Sequence, residues 1–166
     1  VNTHFATYVD KDLKSLKRLF FYLKRLIRVY LPLLSNYLEN EHKLDTDIIF
    51  ASWCLTLFTT ITQYYNSCDL LDQIIDIFVA KSWAGFFQVV LVIMDELQEA
   101  LFKLNYEEIL ILLSELPKNG FYEMIKEHNK VYVKNPRRFN FKDKITKFKY
   151  VNNSQLAYFS GEYHNI

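Results

Sequence analysis

The run Trp53-Cys54-Leu55-Thr56-Leu57-Phe58 sits inside a stretch, Ile48 to Ile61, that carries no charge. Its residues are apolar or hydroxyl-bearing almost all the way round a helix, and a helix of that kind is buried among others. It is too short and too rich in Thr to span a bilayer, which takes about 20 mainly apolar residues. A short break leads to Asp69-Leu70-Leu71-Asp72-Gln73-Ile74-Ile75-Asp76-Ile77-Phe78, and then to a nearly uncharged run from Trp83 through Met94. Ile48 to Met94 is therefore expected to supply the central helices, with the rest of the chain wrapped around them. The expected core is one cluster of Trp53, Leu57, Phe58, Ile75, Phe78, Trp83, Phe87 and Val90.

Upstream, Leu13, Leu16, Phe20, Leu23, Ile27 and Tyr30 recur every three or four residues from Asp10, which makes an apolar helical seam. Lys14, Lys17, Arg18, Lys24, Arg25 and Arg28 fill the other positions. That pattern fits a basic amphipathic helix for a membrane surface or an acidic partner. It equally fits a domain helix with a solvated charged face. Pro32 ends this helix and suits the first turn of a new one over Leu33 to Leu38. Glu39 to Asp47 reads as an acidic loop, with Thr46 or Asp47 as cap for the Ile48 helix. Residues 1–9 are an irregular lead-in.

Downstream, Leu70, Leu71, Ile74, Ile75, Phe78 and Val79 predict a broad buried stripe on a helix ending near Ala80. Asp76 lies among them, and a buried carboxylate requires a paired cation or backbone N–H. Lys81 and Ser82 mark the next boundary. From Trp83 the seam Phe87, Val90, Met94, Leu97, Leu101 and Leu104 persists, while Asp95, Glu96, Glu99 and Lys103 take the helix toward solvent. Asn105 and Glu108 form a reciprocal capping pattern, flanked by Leu104 and Ile109, and that helix should stop near Pro117. A short helix is expected over Phe121 to Asn129. Val131-Tyr132-Val133 is strand-prone without a partner, and the tail from Asn152 is a loose or amphipathic terminal segment. The division is thus 1–9, a helical lobe over 10–130, and a tail over 131–166.

With 166 residues, 51% of them hydrophobic and 17% aromatic, the chain can bury a core without staples. Three Gly and three Pro are too few for the frequent turns of a β-sandwich, so the fold class is all-α, an irregular multi-helix bundle. The net charge of +1 sets up no field toward nucleic acid or membrane. Cys54 and Cys68 read as reduced residues and not a disulfide framework. His4, His42, His128 and His164 are too scattered for a zinc site, so neither metal nor cofactor is expected. No signal peptide or transmembrane span is expected. The chain begins at Val1 and not Met, which suits a piece of a longer protein.

Near the C-terminus, Tyr132, Phe139, Phe141, Phe148 and Tyr150 interleave with Arg137, Arg138, Lys142, Lys144, Lys147 and Lys149. Such mixtures can clamp single-stranded nucleic acid. The near-neutral charge and the lack of any RNA-module signature argue against it, so no nucleic-acid partner is expected. No base stands beside a serine or cysteine nucleophile, no Gly-rich phosphate loop exists, and the carboxylates lack the Glu-x-x-His spacing of a di-metal bundle. No catalytic residue is visible.

Trp53-Cys54-Leu55-Thr56-Leu57-Phe58 resembles the Trp-Phe-Leu-Thr-Leu-Phe segment in the second lobe of the TBC domain, the catalytic domain of Rab GTPase-activating proteins. The resemblance continues through Asp76 and Phe78 of Ile74-Ile75-Asp76-Ile77-Phe78, through Ser82-Trp83, where the family has Gly-Trp, and through Phe86-Phe87-Gln88-Val89-Val90-Leu91. Leu31-Pro32-Leu33-Leu34 looks like the family's segment before a short helix, so the likeness runs from Leu31 to Leu116. It implies a helical second lobe of a protein that stimulates GTP hydrolysis by Rab-type small GTPases in vesicle traffic. A cytoplasmic location, with peripheral attachment to endomembranes, would follow. The family's catalytic arginine, in Ile-x-x-Asp-x-x-Arg, and its glutamine, in Tyr-x-Gln, come from the first lobe. Neither motif occurs in these 166 residues. The alternatives are a non-catalytic scaffold of the same family, or a helical adaptor whose basic first helix meets a membrane or protein. A lone lobe should also expose an apolar patch, on the Leu13 to Tyr30 seam or near Tyr64.

Overall fold

The computed structural model describes residues 14–56, 68–119 and 141–164, and among them every regular element is a helix. In chain order these are α1 (Lys14–Tyr30), α2 (Pro32–Asn36), α3 (Asp47–Thr56), α4 (Cys68–Leu101), α5 (Tyr106–Asn119), α6 (Phe141–Lys144) and α7 (Asn153–His164). The fold is all-α, as the composition indicates. Leu57 and Phe58, the stretch around Tyr64, the helix expected over Phe121 to Asn129, and Val131 to Arg138 lie outside the described residues.

The second half of α4 is the buried axis. Every residue from Trp83 to Met94 is buried, as an all-round apolar run requires. The charged residues then emerge, with Asp95, Glu96 and Gln98 half-buried and Glu99 exposed, while Leu97 and Leu101 stay inside. Against this axis packs α1, which also touches α2, α3 and α7. Its seam of Leu16, Leu19, Phe20, Leu23, Leu26 and Ile27 is covered by these neighbours, so the seam provides no exposed patch. Its basic residues are largely engaged. Lys24 pairs with Asp47 at 2.6 Å, Arg25 with Glu162 at 2.8 Å and Arg28 with Glu39 at 2.5 Å. The solvated domain helix is the reading the structure supports.

Three sequence expectations are corrected. The Ile48 stretch is not buried all round. Ile49, Phe50, Trp53 and Cys54 face inward against α1 and α5, while Ile48 and Leu55 are exposed on the opposite side. In the first half of α4, Ile74 and Ile77 turn to the core, and Ile75 and Val79 face out. Asp76 is exposed with them and meets Lys142 at 3.2 Å on the surface, so it is no buried carboxylate. Glu39 to Glu41 are not loop. The chain continues from α2 into a single π-helical turn, Tyr37–Glu41, before leaving through His42.

The local signals are realised closely. Leu31 is extended out of the helix and Pro32 opens α2 at its first turn. Asn105 and Glu108 cap reciprocally, backbone N–H to side-chain oxygen, at 2.9 and 3.0 Å. At α3 it is Asp45 whose carboxylate accepts the N–H of Asp47, at 3.1 Å. Thr46 is buried, and its hydroxyl has no partner among the described residues. The boundary at Ser82 appears as a kink within α4, where Ser82 takes φ 55° and ψ −143°. This sharp bend brings Gly85 against the preceding turn. A Cβ there would stand 2.6 Å from the Ile77 carbonyl oxygen, so only glycine fits. The span Leu71–Leu101 is long and apolar enough to cross a membrane by composition, but the kink interrupts it and 72% of that window is buried inside the fold. It is built as a core helix.

The basic-aromatic segment folds back on α4. Phe141, Ile145, Phe148 and Val151 are buried, while Lys142, Lys144 and Lys147 pair with Asp76, Glu96 and Asp95. Among its described residues, Phe141 and Phe148 go to the core and three lysines to acids, while Tyr150 is exposed. α7 then lies along α1, with Leu156 and Phe159 buried and Tyr30 bonded to Gln155. The terminal segment is a helix docked on the fold.

Candidate functional site

The family-like residues separate into two groups within one continuous core. Trp53 is fully buried, its ring 5.8 Å from Phe50, and its indole N–H donates to the Leu113 carbonyl at 3.1 Å. The reason lies four residues on. In an α-helix the Leu113 carbonyl would accept from the N–H of residue 117, and Pro117 has none. α5 nonetheless runs through Pro117 to Asn119, two residues past the expected stop. The Trp53 indole replaces the missing donor. The family's tryptophan is here a helix-repair group, a role that sequence spacing alone does not reveal.

The second group surrounds the kink. Trp83 is buried and packs edge-on against Phe78 at 5.6 Å and Phe86 at 5.6 Å, with Phe87 at 6.2 Å. Leu55 and Asp76 are exposed, and Thr56 returns its hydroxyl to the Ser52 carbonyl at 2.9 Å. These residues do not converge on a reaction centre. Those described either hold helices together or lie on the surface.

Among the described residues, the glutamines and all the arginines except Arg18 are absorbed by the architecture. Gln88 is buried, and its amide N–H group donates to the Phe148 and Val151 carbonyls at 3.2 and 2.9 Å, while Lys81 donates to its oxygen at 3.1 Å. This clasp, which holds the terminal segment to α4, was not foreseen; an isolated glutamine in an apolar run was its one signal. Gln73 accepts from the Phe141 N–H at 2.8 Å, and Gln98 donates to Asp95 at 3.2 Å. Arg25 is held by Glu162 and Arg28 by Glu39, whose hydrogen bond raises the Arg28 pKa further. Cys54 is no nucleophile, since burial pushes its thiol up to about 12. No group of three His, Cys, Asp or Glu that could hold a metal occurs among the described residues.

Two concavities stand out among the described residues. One, of about 320 Å³, is lined by Arg28, Pro32, Ser35 and Glu39, whose polar groups pair with one another. The other, of about 320 Å³, lies between α1 and α7 over the kink, with Arg18, Tyr22, Ser82 and Asn153 in its wall. Exposed apolar side chains stand elsewhere, notably Ile48 and Leu55 on α3 and Ile111 on α5.

Comparison with known families gives a match. A model described as the Rab-GTPase-TBC domain covers residues 1–102, taking in all of α1 and ending just beyond α4. No curated protein and no solved structure matches the chain.

Proposed function

Because the chain belongs to the Rab-GTPase-TBC domain family, we propose that it is the second lobe of a Rab GTPase-activating protein, one that supports GTPase docking and brings no catalytic arginine or glutamine. The observation that carries this reading is the structural use of Gln73, Gln88, Gln98, Arg25 and Arg28, each tied to a partner within the fold. Neither family catalytic motif occurs in the sequence. A transition-state arginine is worth about 10³–10⁵ in rate. A lobe without one can position a GTPase but leaves the largest electrostatic contribution missing. The partner in this reading is a Rab-type small GTPase carrying its own GTP, and the setting is vesicle traffic on the cytoplasmic side of endomembranes.

The test is single-turnover GTP hydrolysis on a panel of Rab-type GTPases, with this chain alone and with it joined to a lobe carrying both motifs. The expected result is binding without acceleration by the chain alone, and acceleration by the joined form. Acceleration by the chain alone that disappears on Arg18→Ala, Arg25→Ala or Arg28→Ala overturns the proposal. Binding with no acceleration by either form selects a non-catalytic scaffold of the same family.

A further inference from the structure

The cleft between α1 and α7 gathers several polar side chains that the fold leaves without partners. Five of its lining side chains carry hydrogen-bonding groups: Arg18, Tyr22, Ser82, Asn153 and Ser160. None of them has a hydrogen bond or an ion pair to another described residue, and no carboxylate lines the cleft. Tyr22 is 8% exposed overall, and its phenol hydroxyl, which is not sealed from solvent, has no partner among the described residues. Arg18 is half-buried, whereas Arg25 and Arg28, about two and three turns along the same helix, each hold a glutamate. A guanidinium and a phenol without partners in one recess leave their donors available to a bound molecule. At about 320 Å³ the recess is at the small end of ligand sites.

We propose that this cleft is an oxyanion site for a phosphomonoester, with Arg18 as the charged anchor and the Tyr22, Ser82 and Ser160 hydroxyls and the Asn153 amide as neutral donors. A guanidinium presents two parallel N–H groups to such an anion. A phosphomonoester offers three terminal oxygens, which suits several additional donors better than the two oxygens of a carboxylate. α7 begins at Asn153, and the second half of α4 begins just after Ser82, so both helices start at the cleft and their positive ends favour an anion there. The GTPase-activating reading assigns no role to these residues, although Arg18 is among the arginines that its hydrolysis assay replaces. It stands or falls independently.

The phosphomonoester could be a soluble metabolite or a lipid headgroup, and two probes separate these sources. Glycerol phosphate is titrated into the full chain by calorimetry, and association is measured with phosphatidylcholine vesicles with and without phosphatidic acid. The site predicts binding of glycerol phosphate that falls at least about tenfold in Arg18→Gln. It predicts a smaller loss in Tyr22→Phe, which keeps the ring, and no change in Arg28→Gln. Vesicle association that requires both phosphatidic acid and Arg18 assigns the site to a lipid headgroup; soluble binding alone assigns it to a metabolite. Thermal unfolding of each variant confirms that the fold is retained. Absence of binding to both probes, or binding unaffected by Arg18→Gln in a folded variant, overturns the proposal.

Discussion

Replacing Trp53 by phenylalanine tests whether the indole stands in for the donor that Pro117 lacks. Two costs follow from the geometry. The Leu113 carbonyl, accepting the indole N–H at 3.1 Å in a buried setting, loses its partner. An orphaned buried acceptor costs about 1–3 kcal/mol. Removing part of a fully buried ring leaves a cavity that adds about 1–2 kcal/mol. Trp53→Phe should therefore destabilise the fold by about 2–5 kcal/mol. The cavity part is generic, and the carbonyl part is not. Pro117→Ala restores an N–H four residues beyond Leu113, and in that background the same Trp53→Phe change should cost at least about 1 kcal/mol less. Urea unfolding of the four members of this double-mutant cycle, followed by far-UV circular dichroism with a common slope, measures the coupling. A coupling energy within about 0.5 kcal/mol of zero would refute the repair role and leave Trp53 as a packing residue only.

Ser82→Gly should stabilise the fold by about 0.5–2 kcal/mol, since a strained positive-φ residue costs about 1–3 kcal/mol and the added freedom of glycine returns about 0.5–1. Ser82→Ala keeps the Cβ and should lie near the wild type; thermal melts of both decide it. Gly85→Ala should destabilise by about 1–3 kcal/mol through the collision with Ile77. Gly161→Ala, with nothing within 4 Å, should instead gain about 0.5–1 kcal/mol. Cys54 gives a signed pH dependence. Its thiol rises from 9.0 to about 12 on folding because of burial, so the contribution is complete below pH 9 and is lost as pH rises toward 12. Stability should drop by about 1.4 kcal/mol per pH unit in that window beyond the slope of a Cys54→Ala variant. Equal slopes in alkaline urea titrations would contradict it.

What was legible in the sequence was local. Pro32, the Asn105 and Glu108 pair, and the uncharged run from Trp83 to Met94 each contain their own reason within a few residues. The misplacements came from partners far away in the chain. Ile48 and Leu55 look as apolar as Phe50, but α3 meets neighbours on one side only, so apolarity alone did not choose the buried face. Asp76 looked buried because of its sequence neighbours, whereas the turn carries it outward to Lys142, 66 residues later. The role of the basic-aromatic segment was not visible because its counter-charges, Asp95 and Glu96, belong to a helix some fifty residues earlier. The family resemblance, read from Trp53, Asp76, Phe78 and Trp83, agrees with the family match over residues 1–102. The clasp of Gln88 and the cleft at Arg18 were not legible, since each is assembled from segments sixty or more residues apart.

The docking of α7 on α1 also bears on how the chain can acquire its structure during synthesis. Arg25 and Glu162 are 137 residues apart, and Tyr30 and Gln155 are 125 apart. At roughly 5–20 residues per second, a ribosome needs on the order of ten seconds to make the interval between them. Throughout that time, the groove on α1 that receives Leu156 and Phe159 has no cover from α7, because α7 does not yet exist. That groove is covered only once α7 has been made, and a stop codon placed before Asn153 would leave Leu19, Tyr22 and their neighbours without that cover.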